Sequence, residues 1–283
     1  MKKHFLFLFC ILQGFSITFA QNLVPNWDFE NYSSCPTGIS QFDLAVPWNN
    51  PNQATPDYYN QCYVSIVCPP FCPDPASVDV PDNLLGYQVA KSGVGYAGFI
   101  AYEDAPCLFP PCPCPNPDAF PPWREYMQVQ LTSPLSTGVT YCVQFYVSLA
   151  DSVSYVTDDI GLYFSDTAIS DPDSGALPFT PQIVNTSGVI TDVVNWVLID
   201  GTYTATGGEE YIIIGNFKDD VNTTVVCVNS NAPFGNSFAY YYVEDVYIDI
   251  IGNCPPPCVP PSTPGAITGP TTVCSSQTGL IYS

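Results

Sequence analysis

Between residues 141 and 149 the chain reads YCVQFYVSL. Tyr141, Val143, Phe145, Val147 and Leu149 share one side of an extended backbone, and Cys142, Gln144, Tyr146 and Ser148 share the other. A period of two in aromatic and β-branched residues is what a strand lying on a core requires; a helix would scatter the same side chains around its axis. MQVQL (127–131) alternates in the same way. IGLYFS (160–165), VVNWVLI (193–199), YIIIGNF (211–217) and YYYVEDVYIDI (240–250) are strand-length runs of the same composition. SPLSTG, SDPDSG and TATGGEE punctuate them as turns, and helical periodicity is nearly absent. Many short strands with few helices predict an all-β, two-sheet sandwich.

Met1–Ala20 has two lysines, an apolar run and a small residue at its end, the order of a secretory signal, with cleavage expected between Ala20 and Gln21. The run is too short to read as a membrane span. With the signal go His4, Lys2 and Lys3, leaving Lys91, Arg124 and Lys218 against 26 acids, a formal charge of −23. Neutralising phosphates takes clustered cations, so nucleic acid is excluded as a partner, as is direct binding to an anionic membrane. Losing the only histidine also removes Ser-His and Cys-His catalysis and histidine-bound metals.

Twelve cysteines remain after Cys10 leaves with the signal, and in an exported chain they predict disulfides. The candidates are Cys35, Cys62, Cys68, Cys72, Cys107, Cys112, Cys114, Cys142, Cys227, Cys254 and Cys258. Proline interrupts the clustered ones, which suits stapled loops better than a tetrahedral zinc cage. Spacing does not fix connectivity; Cys35–Cys62 and Cys142–Cys227 are candidate pairings. Residues 50–123 hold many of the prolines and cysteines and read as loops decorating one end of a β-sandwich domain over 21–252. NCPPPCVPPSTPG (253–265) reads as a stiff linker. Residues 266–283 read as the start of a second β domain that stops too soon to bury a core.

NLVPNWDFENY (22–32) reads as an apolar strand ending in Asp28 and Glu30. Alternation in YYYVEDVYIDI puts Glu244 with Val246, Ile248 and Ile250, and Asp245 opposite. A lone buried carboxylate costs several kcal/mol, so such an acid is paired, protonated or metal-bound. Three cations make an ion pair a poor prospect. A hard cation held by oxygens, Ca²⁺, is then the expected partner, with Glu30 and Glu244 as ligands and Asp28 and Asp245 beside them. Solvated acids at strand ends are the alternative.

The two ends of the domain resemble the carbohydrate-binding-module superfamily with the galactose-binding-like jelly roll, whose members commonly open N-x-x-x-N-G-D-F-E and close on an I-D-D-V or I-D-N-V strand. Trp27 stands where that motif has glycine, and Glu244 where it has aspartate. The resemblance implies a jelly-roll sandwich and a structural calcium at Glu30 and Glu244. WREYMQVQLTSPLSTGVTYCVQFYVSLAD, IGLYFS and GTYTATGGEEYIIIGNF are similar to the N-terminal domain of large Bacteroidetes surface proteins. PGAITGPTTVCSSQTGLIYS is similar to the start of a PKD-like immunoglobulin-fold repeat. These resemblances imply a secreted or cell-surface protein, exported by the type IX route through a C-terminal sorting domain beyond this sequence. DSV (151–153) and DTA (166–168) match that phylum's short O-glycosylation pattern.

Function then divides between binding and chemistry. A carbohydrate or cell-surface ligand would stack on aromatics in loop sequence, and Trp48, Tyr58, Tyr59, Trp123 and the adjacent Arg124 are the candidates. Trp196, inside an apolar run, reads as core. A structural or adhesive stalk-tip domain without a glycan ligand is the second reading. A two-carboxylate glycosidase, with acids from TDDIG (157–161) and KDDVN (218–222), is the third and least favoured.

Overall fold

The structure, a computed structural model, describes residues 21–65, 77–104, 123–229 and 237–256. The strands are β1 (Asp57–Asn60), β2 (Asp82–Asn83), β3 (Gly86–Tyr87), β4 (Gly95–Glu103), β5 (Met127–Gln130), β6 (Thr140–Leu149), β7 (Tyr155–Thr157), β8 (Gly161–Ser165), β9 (Ile183–Val184), β10 (Val197–Thr204), β11 (Tyr211–Gly215), β12 (Val225–Cys227) and β13 (Phe238–Ile250). A single 3₁₀ turn, Phe42–Leu44, accompanies them. No helix among the described residues is long and apolar enough to cross a membrane.

Two antiparallel sheets carry the domain, ordered β1-β4-β13-β6-β10 and β5-β11-β8-β9, with ribbons β7–β12 and β2–β3 beside them. From β4 onward the chain crosses repeatedly between the two main sheets, as in a jelly roll. Val143, Phe145 and Val147 of β6 meet Leu162, Phe164, Ile212 and Ile214 of the opposite sheet in one apolar cluster. Ile213 turns outward to a second cluster with Tyr126, Leu177 and Phe217. The three consecutive isoleucines of β11 are therefore all buried, because the segment carrying Ile169, Leu177 and Phe179 covers the outer face of that sheet.

The outer face of the five-stranded sheet is a tyrosine layer. Tyr59 stacks on Tyr96 at 5.2 Å and meets Tyr242 edge-on at 5.3 Å. The cover here is polar: Asn83 Nδ2 donates to Tyr96 Oη, Tyr242 Oη donates to Asn83 Oδ1, and Ser148 Oγ donates to Gln88 Oε1. Burial on both faces explains why Ser148 is as buried as Val147.

Four expectations change. Residues 50–123 are not loops throughout: β4 lies between β1 and β13 in the main sheet, and its Gly95, Ala97, Gly98 and Ala101 disguised a strand. Gly98 is required there, since a Cβ would lie 2.4 Å from Tyr240 Oη. Residues 22–32 form turns rather than a strand, with Asn26 and Phe29 at φ of 47° and 56°. They nevertheless lie along the last strand, through Leu23 N to Ile248 O at 2.8 Å and Val246 N to Trp27 O at 2.9 Å. In β13 a bulge between Glu244 and Tyr247, with Asp245 at φ 53°, inserts a residue. Val243 and Ile248 therefore both pair with inward residues of β6, Val147 and Val143, while Glu244 pairs with Tyr146 on the outer face. The run 193–199 contributes strand only from Val197.

Cys35 is bonded to Cys62, as expected. Cys142 is bonded to Cys254 rather than Cys227, and Cys227 is disulfide-bonded elsewhere. The reason is register: Cys142 sits opposite Asp249 near the end of β13, from which the chain turns back to Cys254. The signal, Cys68, Cys72, Cys107, Cys112, Cys114 and Cys258, most of the linker and residues 266–283 lie outside the described residues.

Candidate functional site

The acids of the two chain ends do converge, and on one short segment. Glu30 Oε1 accepts from the backbone N–H groups of Val94 at 2.7 Å and Gly95 at 2.9 Å. Glu244 is fully buried; its Oε2 accepts from Lys91 N at 2.6 Å and its Oε1 from Ser92 N and Ser92 Oγ. Burial pushes the Glu244 carboxyl up to about 8, and those amide donors only partly offset the lost water. Asp245 holds Lys91 Nζ at 2.9 Å and accepts from Ser92 Oγ. Asp28 stays half-exposed at the turn.

This arrangement does not fit a calcium site. Calcium takes a cage of oxygens, whereas the groups aimed at these carboxylates are N–H donors, one ammonium and the Ser92 hydroxyl, which donates to them. No three of His, Cys, Asp and Glu gather as metal ligands among the described residues. Backbone amides of residues 91–95 are the partner that the acids at the rim require.

The five expected ligand-binding residues do not form a surface. Trp48 is a core residue, 5.0 Å from the Phe29 ring and donating through Nε1 to Asn26 O. Tyr58 and Tyr59 are fully buried, the first donating to Phe29 O and the second sharing a hydrogen bond with Tyr240 Oη. Arg124 is also fully buried: Nη2 bonds Asp220 Oδ1 at 2.6 Å and Thr223 Oγ1 at 3.2 Å, and the guanidinium lies over the Tyr102 ring. Trp123, half-buried, reaches Glu125 Oε1 at 3.4 Å. Sequence position says nothing of which segments cover one another: Phe29 and Phe42 pack on the Trp48 ring, Tyr32 on that of Tyr58, and Tyr96 and Tyr242 on that of Tyr59. Trp196 is half-buried, edge-on to Tyr96 and bonded to Val89 O.

The two acidic motifs do meet. TDDIG leads into β8 and KDDVN follows β11, adjacent strands whose ends bring them side by side. Lys218 Nζ bonds Asp159 Oδ1 at 2.5 Å, and Thr224 N donates to Asp159 Oδ2 at 2.5 Å. From beneath, the buried Arg124 anchors the second motif through Asp220. Together with residues 179–185 the motifs enclose a cleft of about 510 Å³, whose lining includes Asp158, Asp159, Phe179, Asn185, Phe217 and Lys218. Phe179 is half-buried and stacks on Tyr163 at 4.7 Å, so an aromatic wall is braced from behind. Asp158 Oδ1 is a buried oxygen with no hydrogen-bond partner. Phe179 and Asn185 carried no signal in the sequence; only the fold brings them to the same cleft as the acids.

No family model matches the sequence, and no curated protein is similar to it in sequence. Among solved structures it is similar to the CBM22-1 xylan-binding domain of Paenibacillus barcinonensis Xyn10C, at 12% identity over 82% of this chain and 96% of that one, with a TM-score of 0.37. The K1 cleaved adhesin domain of Lys-gingipain from Porphyromonas gingivalis W83 is 14% identical over 80% of this chain and 96% of that one, TM-score 0.33. TmCBM61 in complex with β-1,4-galactotriose is 12% identical over 82% and 99%, TM-score 0.32. At these scores no residue's role and no ligand passes to this chain.

Proposed function

We infer that this domain is a non-catalytic carbohydrate-binding module of an exported surface protein, and that the glycan seats in the cleft between TDDIG and KDDVN. The observation that carries the reading is the cleft itself: a braced aromatic wall faced by convergent polar groups, the arrangement that a sugar's apolar face and hydroxyl rim call for. A stalk-tip role without a ligand would leave that cleft without a use.

Binding is favoured over hydrolysis by the state of the acids. A glycosidase needs two available carboxyl groups flanking the bond to be cut. Here Asp159 is committed through both oxygens, to Lys218 and to Thr224 N, and Asp158 is its neighbour in the chain rather than its counterpart across the cleft. The test is retention of the mature protein on a glycan array, repeated with Phe179→Ala and Trp123→Ala. Binding lost with Phe179→Ala and kept with Trp123→Ala is expected. The reverse pattern would move the site, and no retained glycan would overturn the reading.

A further inference from the structure

Lys91, Arg124 and Lys218 each pair with an aspartate, but the pairs differ in their surroundings. In Lys218–Asp159 the lysine side chain is 50% exposed, and in Arg124–Asp220 the aspartate is 38% exposed. In the third pair Lys91 Nζ lies 2.9 Å from Asp245 Oδ2, with the side chains only 18% and 13% exposed. The Tyr146 ring closes one side of Nζ, 3.9 Å from its centre. Ser92 completes the arrangement: its Oγ lies 2.7 Å from Asp245 Oδ1 and 2.9 Å from Glu244 Oε1. The single serine proton can go to either carboxylate, so both contacts are full hydrogen bonds at once only when one carboxyl supplies a second proton. Glu244 is the carboxyl that holds one, being fully buried and raised to about 8. Its proton then meets Ser92 Oγ and leaves the serine proton for Asp245 Oδ1. Asp245 thus has an amine at one carboxyl oxygen and a placed O–H donor at the other.

An ion pair largely withdrawn from water can pass its proton across, because burial penalises the charged form of both partners. That leaves a neutral amine, the nucleophilic form of lysine, against a carboxylic acid. We propose that Lys91 and Asp245 become joined by a side-chain amide bond, with Ser92 holding the acyl oxygen and Glu244 positioning Ser92. Nζ attacks Cγ, and Oδ1 takes up the negative charge under the Ser92 hydroxyl, an oxyanion met by a donor already in place. Oδ2, which has one proton from the ammonium, gains a second from the attacking nitrogen; the Cγ–Oδ2 bond breaks and water leaves. One ammonium and one carboxylate become one amide and one water, so the step needs no oxidant and no co-reactant. Fixed contact supplies what lysine and aspartate free in water lack. The bond would tie the segment before β4 to the last strand, independently of any glycan in the cleft.

Mass spectrometry of the mature protein, reduced and alkylated, reads the bond directly. The chain should be lighter than its sequence by the mass of one water, and should stay so in urea and reductant. Gln21, the expected first residue, can itself lose ammonia by cyclising, so the peptides decide the assignment. Trypsin should not cut after Lys91, and a branched peptide should join Lys91 to Asp245. Lys91→Arg, which keeps the charge, should restore the missing water and yield linear peptides. Ser92→Ala keeps both joined residues and should leave the chain largely unjoined, which loss of a merely packed serine would not do; complete joining there would overturn the part given to Ser92. Linear peptides with unmodified Lys91 and Asp245 from the wild-type protein would overturn the proposal, a result that no variant's failure to fold can obscure. A branch at Lys218 and Asp159 in their place would overturn it equally.

Discussion

Gly93 tests how the acids of the chain ends are neutralised. It sits at φ +61°, and a Cβ there would lie 2.2 Å from both Cδ and Oε1 of Glu30. An alanine in that conformation costs about 1–2 kcal/mol from backbone sterics alone. It must also expel the Glu30 carboxylate, which accepts from Val94 N and Gly95 N. Charge-assisted hydrogen bonds contribute about 1.5–3 kcal/mol each, but water can replace part of these at a half-exposed site, so about 1–2 kcal/mol for the pair is a fair allowance. Gly93→Ala should thus destabilise by about 3 kcal/mol. In a Glu30→Ala background, where there is no carboxylate to expel, it should cost only the backbone share. A double-mutant cycle by urea unfolding should give a coupling of about 1–2 kcal/mol, unchanged by EDTA. Additivity within 0.5 kcal/mol would refute the clasp. A coupling, or a melting temperature, that collapses on chelation would show that a calcium ion and not the amides holds these carboxylates.

Two further outcomes follow from the same structure. Burial raises the Asp57 and Glu125 carboxyls, the nearby Asp57 charge adding to the penalty at Glu125, and brings Glu244 to about 8. The fold favours their protonated forms, so this share of stability is complete below the unfolded range near pH 4 and is lost as pH climbs toward 8. Urea midpoints should fall between pH 5.5 and 8.5, less steeply in Glu125→Gln; a flat or rising profile would contradict the assignment. The Cys142–Cys254 bond closes 112 residues and Cys35–Cys62 closes 27. On chain entropy the first stabilises by about 5 kcal/mol and the second by about 4 kcal/mol. Paired Cys→Ser variants measured by urea unfolding should rank in that order, and the reverse ranking would count against the entropic account.

The class of fold was legible in the residues alone, because alternation is a local property: whichever partners β6 finds, Tyr141, Val143, Phe145, Val147 and Leu149 must share a face. The sequence also set the expectation of binding over histidine-based catalysis, since the one histidine, His4, lies in the expected signal and only Lys91, Arg124 and Lys218 follow as cations. It marked Glu30, Glu244, TDDIG and KDDVN as acids in need of partners. Only the tertiary structure could supply those partners. A one-residue bulge after Glu244 reversed the parity on which its position had been read. Backbone amides of residues 91–95, invisible as a motif because every residue has one, face the carboxylates for which calcium had been expected. Trp48, Tyr58, Tyr59 and Arg124 looked accessible in loop sequence and are buried, because solvent access depends on what lies over a segment rather than on what the segment contains. Phe179 and Asn185 reached the acidic cleft through the pairing of β8 with β9 and β11, a contact between residues far apart in the chain that no local pattern encodes.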